Sequence, residues 1–197
     1  MKKFMAMLLA LAMVCALLAA CGGKAPQASE PATEAPTEAP VEVPGSALEI
    51  LETLWALYGE EEKFPVMGGD MNNLVDGAPG KYDVADAEGL GYYFYLNADQ
   101  IGQVDDAASI LHAMMLNNFT CGVFHVTGDA SSFADVMHEA VKNNQWMCGF
   151  PDKMLISIIG GEYVLVAYGI NDAMGPFQEK LLTAYPDAQI AYDEAVA

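Results

Sequence analysis

The side chains with most scope for chemistry in this chain are four cysteines, three histidines and a consecutive aromatic run, Tyr92-Tyr93-Phe94-Tyr95. Among the cysteines, Cys21 has the most informative setting. It follows Leu18-Ala19-Ala20 and precedes Gly22-Gly23, behind a basic start at Lys2-Lys3 and an uncharged apolar run from Phe4 to Leu18. A charged segment, an apolar segment and small residues ahead of a thiol make up a bacterial lipoprotein signal, in which the peptidase cuts before the cysteine and its sulfur is acylated. The apolar run is shorter than the ~20 residues a spanning helix needs. Cys21 is therefore the expected lipidation site and residues 1–20 the expected signal peptide. The membrane, reached through that lipid, is an expected partner, and the extracytoplasmic face of the cell membrane the expected location.

Cys15 falls within the signal, which leaves Cys121 and Cys148 in the body of the chain. Two cysteines in an exported domain could close one disulfide. They could equally be small buried hydrophobes, and spacing does not reveal which. With Met147 and a histidine they could also hold a soft metal, since thiolate, thioether and imidazole select copper(I). His125 shares a segment with Cys121, and His112 adjoins Met114-Met115. Thiol-redox chemistry would need an accessible thiolate. Lys153 is the only cation near Cys148, and the acid excess pushes a thiol pKa upward. The leading expectation is accordingly a non-enzymatic protein without cofactor or metal, in which Met114, Met115 and Met137 fill a core at helical spacing. The alternative is a thiol-redox or soft-metal protein using Cys121, Cys148 and a nearby histidine.

Other catalytic patterns are missing. The sequence contains no G-x-S-x-G, G-x-x-x-x-G-K-[ST] or C-x-x-C. His138-Glu139 begins like a zinc-protease helix, but Lys142 stands where the second histidine belongs. Asp70, Asn72 and Asp76 resemble the start of a calcium loop, which Leu74 and Lys81 then break. The aromatic run could form a platform for a sugar or peptide. Read as a strand, it would turn at most half of its rings toward one ligand. Tyr93, Tyr95, Trp146, Cys121 and Cys148 are the candidates for a ligand-binding or structural surface, Trp146 as the large aromatic expected to close a layer between a helix and a hairpin.

The elements that must position these residues follow from composition and period. Residues 21–45 carry Pro26, Pro31, Pro36, Pro40 and Pro44 with Glu30, Glu34, Glu38 and Glu42 between them. They have little to bury, so they read as an extended, disordered tether. At ~3.1 Å per residue it could reach roughly 70 Å from a bilayer. Removing Lys2 and Lys3 with the signal takes the formal charge from −19 to −21, and the chain has no arginine. Such a surface does not suit nucleic acid, whose binding rests on Lys and Arg neutralising phosphate.

Residues 46–197 then form one body large enough for a core. Ser46-Ala47-Leu48-Glu49 has the form of a capping box for a first helix bearing Leu51, Leu54, Trp55 and Tyr58 on one face. Residues 63–91 are rich in turn signals. Tyr92–Leu96 reads as a strand, and a helix capped by Asp105 or Asp106 would carry Ala107, Ile110, Leu111, Met114 and Met115 on one face. Cys121–Val126 is a strand, followed by a helix after Gly128-Asp129. Met154–Ile159 and Glu162–Tyr168 form a hairpin about Gly160-Gly161, buried on both sides. A helix burying Phe177, Leu181 and Tyr185 follows, and the tail with Ile190 and Tyr192 docks loosely. The expected fold class is α+β: a single small domain, an N-terminal helix and then a β-α-β-α-β-β-α core, with helices packed on a mostly antiparallel sheet. A body of this size has no second lobe with which to close on a solute.

The segment Trp146-Met147-Cys148-Gly149-Phe150-Pro151-Asp152-Lys153, with Asn118-Phe119-Thr120-Cys121-Gly122 and Tyr168-Gly169, resembles a family of clostridial lipoproteins carrying a domain of unknown function. The resemblance covers about residues 90–183 and is less clear over 46–89. It implies an anchored extracytoplasmic protein of Firmicutes, and no activity or site residues. Together these readings lead to the expectation of a lipid-anchored binding or interaction module at the cell envelope, whose partner is an envelope protein, a peptide or a small ligand. Mass spectrometry of the mature protein should find acyl mass on Cys21, and Cys21→Ala should leave the protein unprocessed or released. A mature chain with an unmodified first residue would overturn the anchor.

Overall fold

The computed structural model describes residues 43–147 and 149–196. The expected signal, the lipidation site at Cys21, most of the tether, and Cys148 lie outside the described residues. The first helix, α1 (Ala47–Ala56), starts where the capping pattern puts it. Ser46 Oγ accepts from Glu49 N at 3.1 Å, while the Glu49 carboxylate reaches one residue further back, to Gly45 N at 2.9 Å. Three short strands follow, β1 (Val66–Gly68), β2 (Val75–Asp76) and β3 (Gly80–Tyr82), then the helices α2 (Ala87–Phe94) and α3 (Ala98–Ile101). Next come β4 (Val104–His112), a 3₁₀ turn at Leu116–Asn118, β5 (Phe119–Val126) and helix α4 (Ala130–Lys142). The chain ends with β6 (Lys153–Ile159), β7 (Tyr163–Gly169), helix α5 (Asn171–Ala184) and β8 (Gln189–Ala195). None of the helices described is long and apolar enough to cross a membrane.

All eight strands join one antiparallel sheet, ordered β2-β1-β4-β5-β7-β6-β8, with β3 also paired to β4. The domain is α+β, with helices on both faces of the sheet. Because strand side chains alternate, the central strands feed two separate cores. Cys121, Val123, Leu165 and Ala167 meet α1 and α5 on one face. Phe124, Ile156, Val164, Val166 and Tyr168 meet α2 and α4 on the other. The hairpin of β6 and β7 turns through Gly160 at φ 61° and Gly161 at φ 81°, a conformation open to glycine at little cost.

Four expectations are corrected. Tyr92–Leu96 is not a strand, because Asp86 caps α2 by accepting from Gly89 N at 3.0 Å and the helix then buries Leu90 and Phe94, one turn apart. The segment after Asp105 is not a helix but β4. Its run from Ala107 to Leu111 is buried throughout between two covered faces, so a helical spacing could be picked out of a continuous apolar stretch. Met114 and Met115 lie beyond that strand and are exposed, whereas Met137 does fill the core. The tail docks as a full edge strand. Asp193 pairs with Lys153 at 2.6 Å, Tyr192 stacks on His138 at 3.9 Å, and Glu194 bonds His138 at 2.9 Å.

The turn-rich segment is held by Asp70, buried and 2 % exposed. Its carboxylate accepts from Asn72 N at 2.8 Å, from Asn73 N at 3.1 Å and Nδ2 at 3.1 Å, and from Asp83 N at 3.2 Å. Burial works against its charge, but the bonds from Asn73, Asn72 and Asp83 outweigh that and hold the carboxyl below its ordinary range. A carboxyl whose pKa is lowered on folding contributes stability above its unfolded value, near ~3.9, and loses it as pH falls through the folded value. Asp70→Asn should therefore cost about 1–3 kcal/mol at neutral pH. In urea denaturation the gap to the parent protein should close as the solution is acidified below about pH 4.

Candidate functional site

A cleft of about 500 Å³ opens at one end of the sheet, within the roughly 300–1,000 Å³ typical of ligand sites. Three segments converge on it: the end of α2 with Tyr92, Tyr93 and Tyr95; the turn after β4 with Met114 to Asn117; and the loop after α4 with Asn144 to Met147. Tyr168 of β7 also lines it. Polar contacts tie down the turn after β4 and the loop after α4. His112 Nδ1 accepts from Met114 N at 3.2 Å and Met115 N at 3.3 Å. Thr120 Oγ1 donates to Leu116 O at 3.0 Å. Asn117 Nδ2 donates to Met147 O and Gly149 O, both at 2.9 Å, and so fastens the loop after α4 to the turn before β5. Gly169 allows that turn to approach, since a Cβ there would stand 2.3 Å from Asn118 O.

The rings form a packed wall. Trp146 meets Tyr168 at 5.0 Å and Tyr95 at 5.9 Å, the latter edge to face. Tyr92 and Tyr93 pack edge to face at 4.9 Å. Tyr168 donates its hydroxyl to Tyr93 O at 3.0 Å. Burial pushes the hydroxyls of Tyr168 and Tyr95 above their ordinary range, so both stay neutral. Trp146 is half-buried, and its Nε1 is shielded from solvent without a partner among the described residues.

Tyr95 adds backbone strain to this wall. It ends α2 at φ 61°, and among the described residues it alone has a positive φ without being glycine. A bulky side chain there costs about 1–2 kcal/mol, and such outliers gather where surrounding packing imposes them.

None of the described residues lining the cleft is charged, although the chain holds 27 acids. Aromatic faces, thioethers and carboxamides remain. This arrangement can stack on, and hydrogen-bond to, an uncharged group, and the described residues lining it include no carboxylate, imidazole or thiol.

Of the sequence candidates, Tyr93, Tyr95 and Trp146 come together here. Cys121 does not. It is wholly buried in the core on the opposite face, where burial pushes its thiol pKa well up. The histidines are dispersed. His125 is tied to Asp105 on β4, His138 to Glu194, and His112 to the turn after β4 and to a stack on Phe64 at 5.8 Å. Among the described residues no three His, Cys, Asp or Glu side chains converge in a way that could hold a metal ion. Sequence reasoning missed Met114, Met115, Asn117, Asn144, Gln145 and Tyr168. The Asn-rich pairs in breaks between elements were the available signal for the carboxamides.

The ring contacts of Tyr95 outweigh its backbone strain, so Tyr95→Gly should lower the denaturation midpoint modestly, the relieved strain offsetting part of the lost packing. Trp146→Ala should cost less than the roughly 3–5 kcal/mol of a fully buried aromatic. A collapse of the fold in either variant would show that the wall is core and not site. No protein-family model, curated protein or solved structure matches the chain.

Proposed function

We propose that this chain is a non-enzymatic binding module, anchored through lipid on Cys21 at the extracytoplasmic face of the membrane, which holds the uncharged part of its ligand in the aromatic cleft. The observation that carries this reading is that no described residue lining a cleft of about 500 Å³ is charged in so acidic a protein. Acids are the commonest polar residues available here, and their absence among the described residues of one concave surface supports an uncharged seated group, against which a buried carboxylate would be left unpaired. The tether supports the same reading, because spacing from the bilayer is useful to a module that meets partners in the envelope.

Trp146 supplies the test. In a Trp55→Phe background it is the remaining indole. Titration with oligomers of N-acetylglucosamine and with short peptides of uncharged apolar centre should shift its emission for at least one probe. Acidic counterparts should give no shift, and Trp146→Ala, followed with a labelled ligand, should abolish binding. If no such probe is bound, or if binding survives Trp146→Ala, the cleft is not the site.

A further inference from the structure

A second, smaller hollow adjoins the cleft and shares Tyr93 and Leu116 with it. Its volume is about 80 Å³, and Met67, Met71, Leu74 and Leu111 line it with Tyr82. That is far below the roughly 300–1,000 Å³ of a self-contained ligand site, and it is the scale of a single side chain. No residue lining it is charged. We propose that the ligand is a linear cationic peptide, its apolar centre lying along the cleft past Trp146 and one aliphatic side chain anchored in this second hollow. The proposal rests on the cleft being a binding site for the uncharged part of a ligand.

Three observations favour a peptide over a sugar. The first is the rim. Met71 is 60 % exposed, Met114 75 %, Met115 43 % and Met147 79 %. Thioethers have no donor and only a weak acceptor with which to read hydroxyls. They do adapt their shape to varied apolar side chains, which is why methionine is over-used at peptide-binding surfaces. The second is the pairing of a cleft of about 500 Å³ with an adjoining side-chain-sized hollow, which gives room for a backbone and one buried anchor. The third is the pair Asn144 and Gln145 in the cleft lining. Each carboxamide offers a donor and an acceptor, matching the two polar groups of a peptide unit.

The charge of the partner follows from the net charge of the chain, −19. Every lysine among the described residues already stands in an ion pair: Lys63 with Glu60, Lys81 with Asp106, Lys142 with Glu194, Lys153 with Asp193 and Lys180 with Glu62. The remaining acids set a negative field that draws in cations and repels anions. Lysine or arginine flanking the apolar centre would meet that field without entering the uncharged seat.

The test uses the full chain and labelled peptides in fluorescence anisotropy. The probe has a Leu-Phe-Leu centre flanked by lysines, and the controls carry flanking glutamates or a serine centre. The lysine-flanked probe should bind, the glutamate version at least about tenfold more weakly, and affinity should fall as salt rises through the screening range. Met71→Gln and Met147→Gln alter exposed positions and should leave the denaturation midpoint in place, yet each should weaken the probe by about tenfold. Binding indifferent to flanking charge and salt, or unchanged in Met71→Gln, would overturn the proposal. So would N-acetylglucosamine oligomers that bind at Trp146 while peptides do not, an outcome that leaves the uncharged cleft standing as a binding site. If neither class of probe responds at Trp146, both readings fall.

Discussion

The antiparallel ladder between β5 and β7, running in register from Phe119 opposite Gly169 to His125 opposite Tyr163 and covered on both faces, constrains everything around it. Strand side chains alternate, so this one ladder assigns every residue along it to one of two cores. A slip by a single residue would exchange Cys121 and Val123 for Gly122 and Phe124, emptying one core and overfilling the other. Gly122 shows how tight the assignment is. A Cβ there would stand 2.6 Å from the ring of Phe124 and 2.8 Å from that of Phe94. The same alternation separates the groups that could do chemistry. It sends Cys121 toward α1 and α5, and Tyr168 toward the cleft.

The cleft is a product of how the sheet ends. Tyr168 stands opposite Thr120 near one end of the ladder, and the turn before β5 is pressed against Gly169 there. Three segments meet at this end. Tyr168 donates its hydroxyl to Tyr93 O at the end of α2, and His112 Nδ1 accepts from Met114 N and Met115 N in the turn after β4. Asn117 joins two of them directly, through its bonds to Met147 O and Gly149 O. The wall thus combines a helix end, a strand residue and loops fastened to a rigid ladder, the arrangement that lets irregular segments carry a binding site. Tyr95 completes the wall in a left-handed conformation, where packing against Trp146 and Tyr168 outweighs the local cost.

Charge is divided between the surface and the cleft. The lysines described are spent on ion pairs at the edges of elements, such as Lys142 and Lys153 holding β8 to its neighbours. Exposed pairs of this kind add little to stability. Their larger consequence is that the carboxylates left over give the chain its negative field, while no described residue lining the cleft is charged. An uncharged seat within an acidic exterior selects ligands by polarity at its centre and by sign at its margins.

Much of this was legible in the chain itself. Local rules sufficed wherever a short motif does its work alone: Ser46 capping α1, Asp129 capping α4 through Ser132 N at 2.7 Å, Gly160-Gly161 turning the hairpin, and the apolar runs of β6 and β7. Tyr93, Tyr95 and Trp146 could be chosen by type, because large aromatics dominate both cores and binding surfaces. What tertiary structure decided was which of those roles each would play, and where residues of mixed signal would go. Ala107 to Leu111 fit a helix until β1, β3 and β5 claimed the backbone donors and acceptors on both edges of β4. Tyr92 to Tyr95 fit a strand until the Asp86 cap and the burial of Leu90 and Phe94 wound them into a helix. Met114 and Met115 have the composition of core and lie in the open, because β4 ends at His112 and leaves them on a connection beside a cleft. Hydrophobicity determines that a residue is worth burying, and only the completed packing determines whether anything remains to bury it.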